Sequence, residues 1–377
     1  MVKQVNISRL MVIGPLPPPV GGGAITFQVF CEVVKECAQL ESFEIINSSA
    51  SYFKPRSRIF TVESLARARR IMWQLCRKVG NVDAVLIFGT NGFVCSFTPF
   101  LLFVTKATRT KCYVRVFGGS LHNYYVNLPS FVRWLFSVTL NHLDGLIVQT
   151  PDLYEYFSSS LDERVYLFPQ YRNMDDTIET LHRDSLAEEL RLVFIGHVKE
   201  SKGVFVLLES LRRIITRTQK QILCDLYGPI AAEDQEQFLI RVNQLKGVAY
   251  RGVLYPDQVV STLHNYDALI LPTYYPNEGH PGVIIEAMMA GLPVITTDFG
   301  SIPDLVQDGV NGLLVKPKDV ETLSEAILRL ADDRERLKQL AERNYERRKQ
   351  FDAKCVVPRI LQELGVPLKP AYTSDCI

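Results

Sequence analysis

The 377-residue sequence predicts an α/β protein with two doubly wound parallel sheets. Three observations carry that expectation. Short aliphatic or β-branched runs alternate with longer helical patterns along the whole chain, which is how buried parallel strands and their crossover helices read. The runs are short, apolar and evenly spaced between the helical stretches. The series also breaks once, near Pro169–Leu190, so two sheets are expected rather than one of eleven strands.

In the first half the strand candidates are Leu10–Ile13, Phe43–Ile46, Ala84–Phe88, Cys112–Phe117 and Gly145–Gln149. In the second they are Leu192–Ile195, Ile222–Tyr227, Val248–Arg251, Ala268–Leu271, Val294–Thr296 and Leu313–Val315. The break holds Asp175, Asp176, Glu179, Asp184, Glu188 and Glu189, a polar stretch suited to a linker. A charged helical pattern from Val320 to about Gln350 closes the second series. Val356–Leu364 reads as one more helix, placed to pack back on the first domain. The expected organisation is a Rossmann-like domain over 1–170, a second over 171–350, and a returning C-terminal helix in 351–377. Two such domains facing each other make a cleft, and open sheets bind ligands beyond the carboxyl ends of their strands.

Composition narrows the class. Hydrophobic residues at 47% and charged residues at 22% describe a globular protein rather than a disordered one. The eight cysteines form no CxxC pair and no metal-ligand spacing with the six histidines, so buried free thiols are expected. Met1–Leu10 has no cleavable-signal pattern, and the longest apolar run, Phe93–Val104, is too short to cross a bilayer. The expected location is cytoplasmic, with the inner face of the membrane as a peripheral site. The reason for the latter is charge. Residues 1–170 carry 17 Lys and Arg against 11 Asp and Glu, while the remainder carries 25 against 30. The excess includes Lys54, Arg56, Arg58, Arg67, Arg69, Arg70, Arg77, Lys78, Lys106, Arg109 and Lys111, and the apolar segments Phe93–Val104 and Phe131–Leu140 lie nearby. Such a surface attracts a phospholipid or a diphosphate-linked acceptor, or is an ordinary solvated helix face beside core segments. Nucleic acid is not expected, because no reader-helix pattern or aromatic-interleaved basic motif accompanies the charges.

The chemistry concentrates between Asp267 and Val315. A strand ending at Pro272 leads through Glu278-Gly279-His280-Pro281-Gly282 into the helix Val283–Ala290, closed by Gly291. The glycines permit close backbone approach to a ligand, and the helix start offers free N–H groups to an anion. Glu286 sits one turn inside that helix, so Glu278 and Glu286 bracket the loop and can grip sugar and ribose hydroxyls. Alternatively this is a surface loop with Glu286 merely solvated, but an otherwise apolar helix makes an idle carboxylate there costly to bury. Upstream, Pro17–Pro19 stiffen a loop that Gly21, Gly22 and Gly23 free beside the next helix. It has neither GxGxxG spacing nor a Walker lysine, so nicotinamide and ATP are not indicated. Asp-x-Asp is absent from the chain, so no divalent metal and no other cofactor are expected.

The stretch from Glu278 to Glu286 resembles the donor-binding signature of family 4 retaining glycosyltransferases of the GT-B fold, in which two glutamates flank a glycine-containing loop. The resemblance extends along the chain. It takes in the loop from Gly14 to Gly23, the segment Gly196–Gly203 with Lys202, and the continuations Gly300-Ser301-Ile302-Pro303-Asp304 and Asp308–Val315. It implies that Glu278 binds hydroxyls of the transferred sugar, Glu286 the ribose hydroxyls, and Lys202 the leaving diphosphate. A fixed cation there also makes physical sense, since charge grows on the leaving group as the bond breaks. Where many members have an arginine after the glycine, this chain has His197, and Lys199 is the substitute cation. Gly22, Gly23, Gly196, Gly279, His280, Pro281, Gly282 and Val283 complete the implied donor site. On the acceptor side the candidates are Arg115, Gly118, Gly119 and His122.

The implied activity is retaining transfer of a sugar from a nucleotide-sugar donor to a glycan or lipid-linked acceptor, in cell-surface polysaccharide or glycoconjugate synthesis. A nucleotide-sugar epimerase or hydrolase on the same scaffold is an alternative, told apart by donor turnover without acceptor. A non-catalytic sugar-binding subunit is another; the joint presence of Lys202, Glu278 and Glu286 argues against it.

Overall fold

The computed structural model describes residues 6–19, 21–49, 62–174, 189–215, 217–218 and 220–372, with side chains in the second helix from residue 66 onward. Val20, Lys54, Arg56, Arg58, the Glu63 side chain, the acidic stretch from Asp175 to Glu188, and Cys376 lie outside the described residues. The chain divides into two units: Met1–Asn173 with Phe351–Ile377, and Met174–Gln350.

The first unit begins with β1 (Arg9–Gly14), α1 (Gly22–Cys37), β2 (Ser42–Asn47) and α2 (Val62–Lys78). It continues with β3 (Ala84–Thr90), α3 (Asn91–Ala107), β4 (Lys111–Phe117), α4 (Leu121–Val126) and α5 (Ser130–His142). It then adds β5 (Gly145–Val148), α6 (Pro151–Leu161) and β6 (Val165–Leu167). All six strands are parallel, in the order β2-β1-β3-β4-β5-β6. Strand β6 was not anticipated; three residues, Val165-Tyr166-Leu167, are too few to show a period. Four strands, β1, β3, β4 and β5, are buried along nearly their whole length, which is why the runs read as continuous apolar segments, since helices cover both faces. On one face α2, α3, α5 and α6 share a core with the sheet. On the other, α1 packs with the chain's last long helix.

The second unit runs β7 (Glu189–Ile195), α7 (Val204–Ile214), β8 (Gln221–Tyr227), α8 (Gln235–Asn243), β9 (Val248–Gly252) and α9 (Val259–Leu263). It continues β10 (Ala268–Leu271), α10 (Gly282–Met289), β11 (Val294–Thr297), α11 (Ile302–Leu305), β12 (Gly312–Val315), α12 (Val320–Asp332) and α13 (Arg334–Arg347). Its strands are again parallel, ordered β12-β11-β10-β7-β8-β9. Aspartates start the late helices: Asp319 accepts from the amides of Glu321 and Thr322, and Asp333 from that of Arg336.

The chain then returns to the first unit as α14 (Ala353–Glu363), capped by Asp352, whose side chain accepts from the Lys354 amide. Val356, Val357, Ile360 and Leu361 are buried against α1 in that unit's core. Each such burial stabilises by roughly 1.5–3 kcal/mol, so this helix is an integral part of the first unit's core.

Seven cysteines are described and all are free thiols, five of them buried. Burial pushes the Cys31 and Cys95 thiols up to about 12, which keeps them protonated and unreactive. Among the described residues no helix is long and apolar enough to cross a membrane.

Candidate functional site

In a doubly wound sheet, ligands gather where the strand order reverses, at the carboxyl ends of the two strands flanking the reversal. In the second unit those strands are β7 and β10, which pair side by side while their chains continue in opposite directions across the sheet. The loop after β7 carries Gly196, His197, Lys199 and Lys202; the loop after β10 carries Glu278, Gly279, His280 and Pro281. Two segments chosen in the sequence for different reasons thus leave adjacent strands at the same end.

The backbone ties them together. Tyr274 donates its amide to the Ser201 carbonyl at 2.9 Å. Gly203 adopts φ +78°, and a Cβ there would stand 1.9 Å from the Pro272 carbonyl oxygen, so only glycine permits this approach. Gly228, after β8, has φ +136°, and its Cβ would come within 1.8 Å of the Gly196 oxygen. The Gly196 segment is therefore held from both sides by glycines.

Lys202 Nζ lies 2.5 Å from Glu278 Oε2, with the side chains 20% and 10% exposed. Thr273 Oγ1 donates to the same carboxylate oxygen at 2.9 Å. Thr273 itself is fully buried, receives the Tyr275 amide on its hydroxyl at 3.2 Å, and accepts from the Thr297 hydroxyl on its carbonyl. Lys202 also lies 5.3 Å from the centre of the Tyr275 ring. The ammonium and carboxylate thus neutralise each other in a largely dehydrated spot, each oriented by further groups.

His197 is open to solvent, yet partial desolvation, then the charges of Lys199 and Lys202, hold its pKa below the ordinary 6.5. Three basic side chains therefore converge electrostatically on one short loop. Lys199 leans 3.4 Å from Glu233, and the Glu200 amide donates to Asp234 at 2.8 Å, anchoring the loop's far side.

Helix α10 begins after Pro281 with no side-chain cap and no acid in its first turn, leaving its amide dipole uncompensated. Gly282, Val283 and Glu286 share its half-exposed face, while Ile284, Ile285, Ala287 and Met288 are buried. His280 is buried, and its Nε2 lies 3.0 Å from Asp304 Oδ2. That contact fixes the loop to α11.

Thr273 and Thr297 were not singled out in the sequence, and Asp304 was named there only within a motif, without a supporting role. Thr273 was detectable as the first hydroxyl after the apolar run Ala268–Pro272. The partnership of Asp304 with His280 spans 24 positions and leaves no local signal.

In the first unit the order reverses between β1 and β3, and the loop after β1 is the proline- and glycine-rich one. It delivers Gly22 and Gly23 into the first turn of α1, which also lacks a side-chain cap and a first-turn acid. A Cβ on Gly23 would meet the Phe117 ring at 3.3 Å, so this glycine lets the helix close on β4. Gly118 follows β4 with φ +91° and donates its amide to Gln149 Oε1 at 3.1 Å; Gly119 and His122 continue this rim, His122 packing 5.5 Å from the Tyr156 ring.

Arg115 requires a correction. Its side chain is wholly buried and bonded to the Tyr171 hydroxyl at 2.9 Å and to the Phe168 and Pro169 carbonyls. Its guanidinium lies 4.0 Å from the Phe168 ring centre. Both faces of this sheet are covered, and Arg115 lies on the α1 side among Phe88, Phe168 and Tyr171, so it braces the core and offers nothing to an acceptor.

A separate cavity of about 630 Å³ beside β8 is lined by Arg191, Asp225, Arg251 and Tyr266. Arg251 and Tyr266 both bond Asp225, at 2.9 and 2.8 Å, so its polar groups are committed to one another.

Residues 178–347 match the family model described as glycosyl transferases group 1. An uncharacterized glycosyltransferase of Methanocaldococcus jannaschii is 31% identical over 176 residues, covering 46% of this chain and 48% of that protein. A D-inositol 3-phosphate glycosyltransferase of Corynebacterium diphtheriae is 28% identical over 220 residues, 52% of this chain and 49% of that one. The chain spans about half the length of these curated relatives. Over 94% of its length it superposes on 99% of the structure of HepE from Anabaena in complex with UDP, with a TM-score of 0.70 and 14% identity. The fold is of the GT-B type.

Proposed function

We propose that this chain transfers a glycosyl group from a nucleotide-sugar donor, held by the second unit, to a glycan or lipid-linked acceptor. The observation that carries the reading is the Lys202–Glu278 pair, set at the carboxyl ends of β7 and β10 beside the uncapped start of α10. The match of residues 178–347 to the glycosyl transferase model, and the UDP bound by a structural neighbour, support it.

The chemistry follows from the groups present. In the free protein Lys202 and Glu278 satisfy each other. A diphosphate is a stronger partner for the ammonium than a single carboxylate, and sugar hydroxyls are donors for Glu278 Oε2 alongside Thr273. Donor binding therefore exchanges one internal pair for two contacts, placing the cation on the leaving group and the carboxylate on the sugar. Charge that grows on the diphosphate as the glycosidic bond breaks meets Lys202, and free amides at the start of α10 add to that field. Glu286, on the open face of α10, is the group for the ribose hydroxyls.

Retention of anomeric configuration and independence from divalent metal are parts of the same reading. They rest on the order of motifs and on the absence of Asp-x-Asp in the sequence. Cell-surface polysaccharide or glycoconjugate synthesis is the setting proposed for it.

The test is a screen of nucleotide-sugars with and without acceptor, scored by release of nucleoside diphosphate. The expected result is acceptor-dependent release that persists in chelator and yields a product of retained configuration by NMR. Lys202→Ala lowers kcat about 100-fold or more, and Glu286→Gln weakens donor binding. Turnover that is equally fast without acceptor, or unchanged in both variants, overturns the reading.

A further inference from the structure

The helices α2, α3 and α5 cover the same face of the first sheet and bury one side in a common core. Their outer sides are unusual for a helical layer facing water. Phe100 and Phe103 on α3 are 64% and 78% exposed; Phe131 and Trp134 on α5 are 71% and 60% exposed; Trp73 on α2 is 58% exposed. Helices α3 and α5 pack directly on each other, and the rings of Phe131 and Trp134 lie 6.0 Å apart, so the aromatic side chains form a surface rather than scattered points. Lone exposed apolar residues are ordinary, but five large aromatics on adjoining helices of one layer are not.

Apart from Glu63 in the first turn of α2, the charged residues of these three helices are all basic. Between Asp83 and Asp144 the sequence contains no Asp or Glu at all. On α2, Arg69, Arg70 and Arg77 are exposed beside Trp73, and the Arg77 guanidinium lies 4.7 Å from the Trp73 ring. Lys106, at the end of α3, is tied to Asp144 at 3.0 Å, and Lys78 to Glu44, whereas Arg69 and Arg77 are exposed and Arg70 keeps its charge while donating to the Asn47 carbonyl at 3.3 Å. Large aromatics with flanking arginines and few carboxylates are the composition of a surface that lies in the headgroup region of a bilayer. A protein partner would demand complementary shape, whereas a fluid lipid surface accepts protruding rings on three parallel helices.

We propose that the α2–α3–α5 face of the first unit docks on an anionic lipid surface. The aromatic side chains of α3 and α5 insert among the headgroups, and Arg69, Arg70 and Arg77 neutralise lipid charge. This docking does not depend on the donor-site reading, because none of these residues belongs to the second unit.

The chain supplies its own probe. Its two tryptophans, Trp73 and Trp134, both lie on this face, so tryptophan emission reports on it alone. The full chain is mixed with vesicles of phosphatidylcholine, or of phosphatidylcholine and phosphatidylglycerol in equal parts, at low and high salt. The expected result is co-sedimentation with the anionic vesicles, weakened by salt, with a blue shift of tryptophan emission and quenching by brominated lipid. Each of Arg69→Ala, Arg70→Ala and Arg77→Ala lowers vesicle partitioning roughly fivefold. Phe103→Ser lowers it about tenfold or more, with nucleotide binding and the circular dichroism spectrum unchanged, since the ring is largely in solvent. Emission unmoved by anionic vesicles at low salt overturns the proposal. So does a concentration-dependent dimer that Phe103→Ser dissociates without any vesicle binding, because the face then belongs to a second copy of the chain.

Discussion

Lys202 and Glu278 are 76 positions apart in sequence and 2.5 Å apart in space, and Thr273 is the residue that sets their alignment. Thr273→Val keeps the shape and deletes the hydroxyl. The hydrogen bond to the charged oxygen is lost, worth about 1.5–3 kcal/mol, together with the acceptor of the Tyr275 amide, so kcat/KM is expected to fall roughly tenfold or more and the melting temperature to fall with it. Steady-state kinetics checks this, and an unchanged kcat/KM rules out a positioning role. His197 supplies a pH signature. Its folded pKa is held below 6.5 by desolvation and by Lys199 and Lys202, so the unfolded chain takes up the proton more readily. The contribution to stability is fully present above pH 6.5 and is lost as pH falls through the depressed folded value. A bound diphosphate reverses the local field, and NMR titration is expected to show the imidazole pKa rising on addition of nucleoside diphosphate. No movement would place the anion elsewhere. These residue types were legible in the sequence as donors, acceptors and cations; their pairing was not, because it arises from β7 and β10 lying side by side. Arg115 shows the limit from the other direction, since the position that the resemblance marked as acceptor-side holds a side chain wholly buried in the core.

At the scale of elements, the strands were the legible part: each expected run lies on an observed strand, because a sheet covered on both faces leaves long apolar signatures. What went unread was short, such as β6, or defined by long-range contact. The glycines of the site belong to the second kind. Gly203 reads as one more loop residue, yet its position is dictated by the Pro272 carbonyl. Gly203→Ala is expected to destabilise the second unit by at least ~1–3 kcal/mol through the positive φ alone, and more through the clash. It is also expected to displace Lys202, the preceding residue. Thermal unfolding and donor binding measured on the same variant test both. An alanine variant of native stability and affinity would show that the two loops are not held by this contact.

For the whole molecule, the chain forms two units, Met1–Asn173 with Phe351–Ile377, and Met174–Gln350. The helix α14 is where the first unit is most vulnerable. Leu361 is completely buried, and Leu361→Ala is expected to cost about 2–5 kcal/mol. Because α14 belongs to the first unit alone, the loss is expected in that unit's unfolding transition and not in the second's. Calorimetry or hydrogen exchange resolves the two, and equal loss in both would mean that they unfold as one.

The same discontinuity governs the order of events during synthesis. The second unit is a single uninterrupted stretch, 174–350, and every strand of its sheet is synthesised before α14. The first unit, translated earlier, has to wait with the α1 side of its core open until the last helix emerges. A nascent chain stalled anywhere between those points carries a bare apolar face, the kind of surface that aggregates or recruits chaperones.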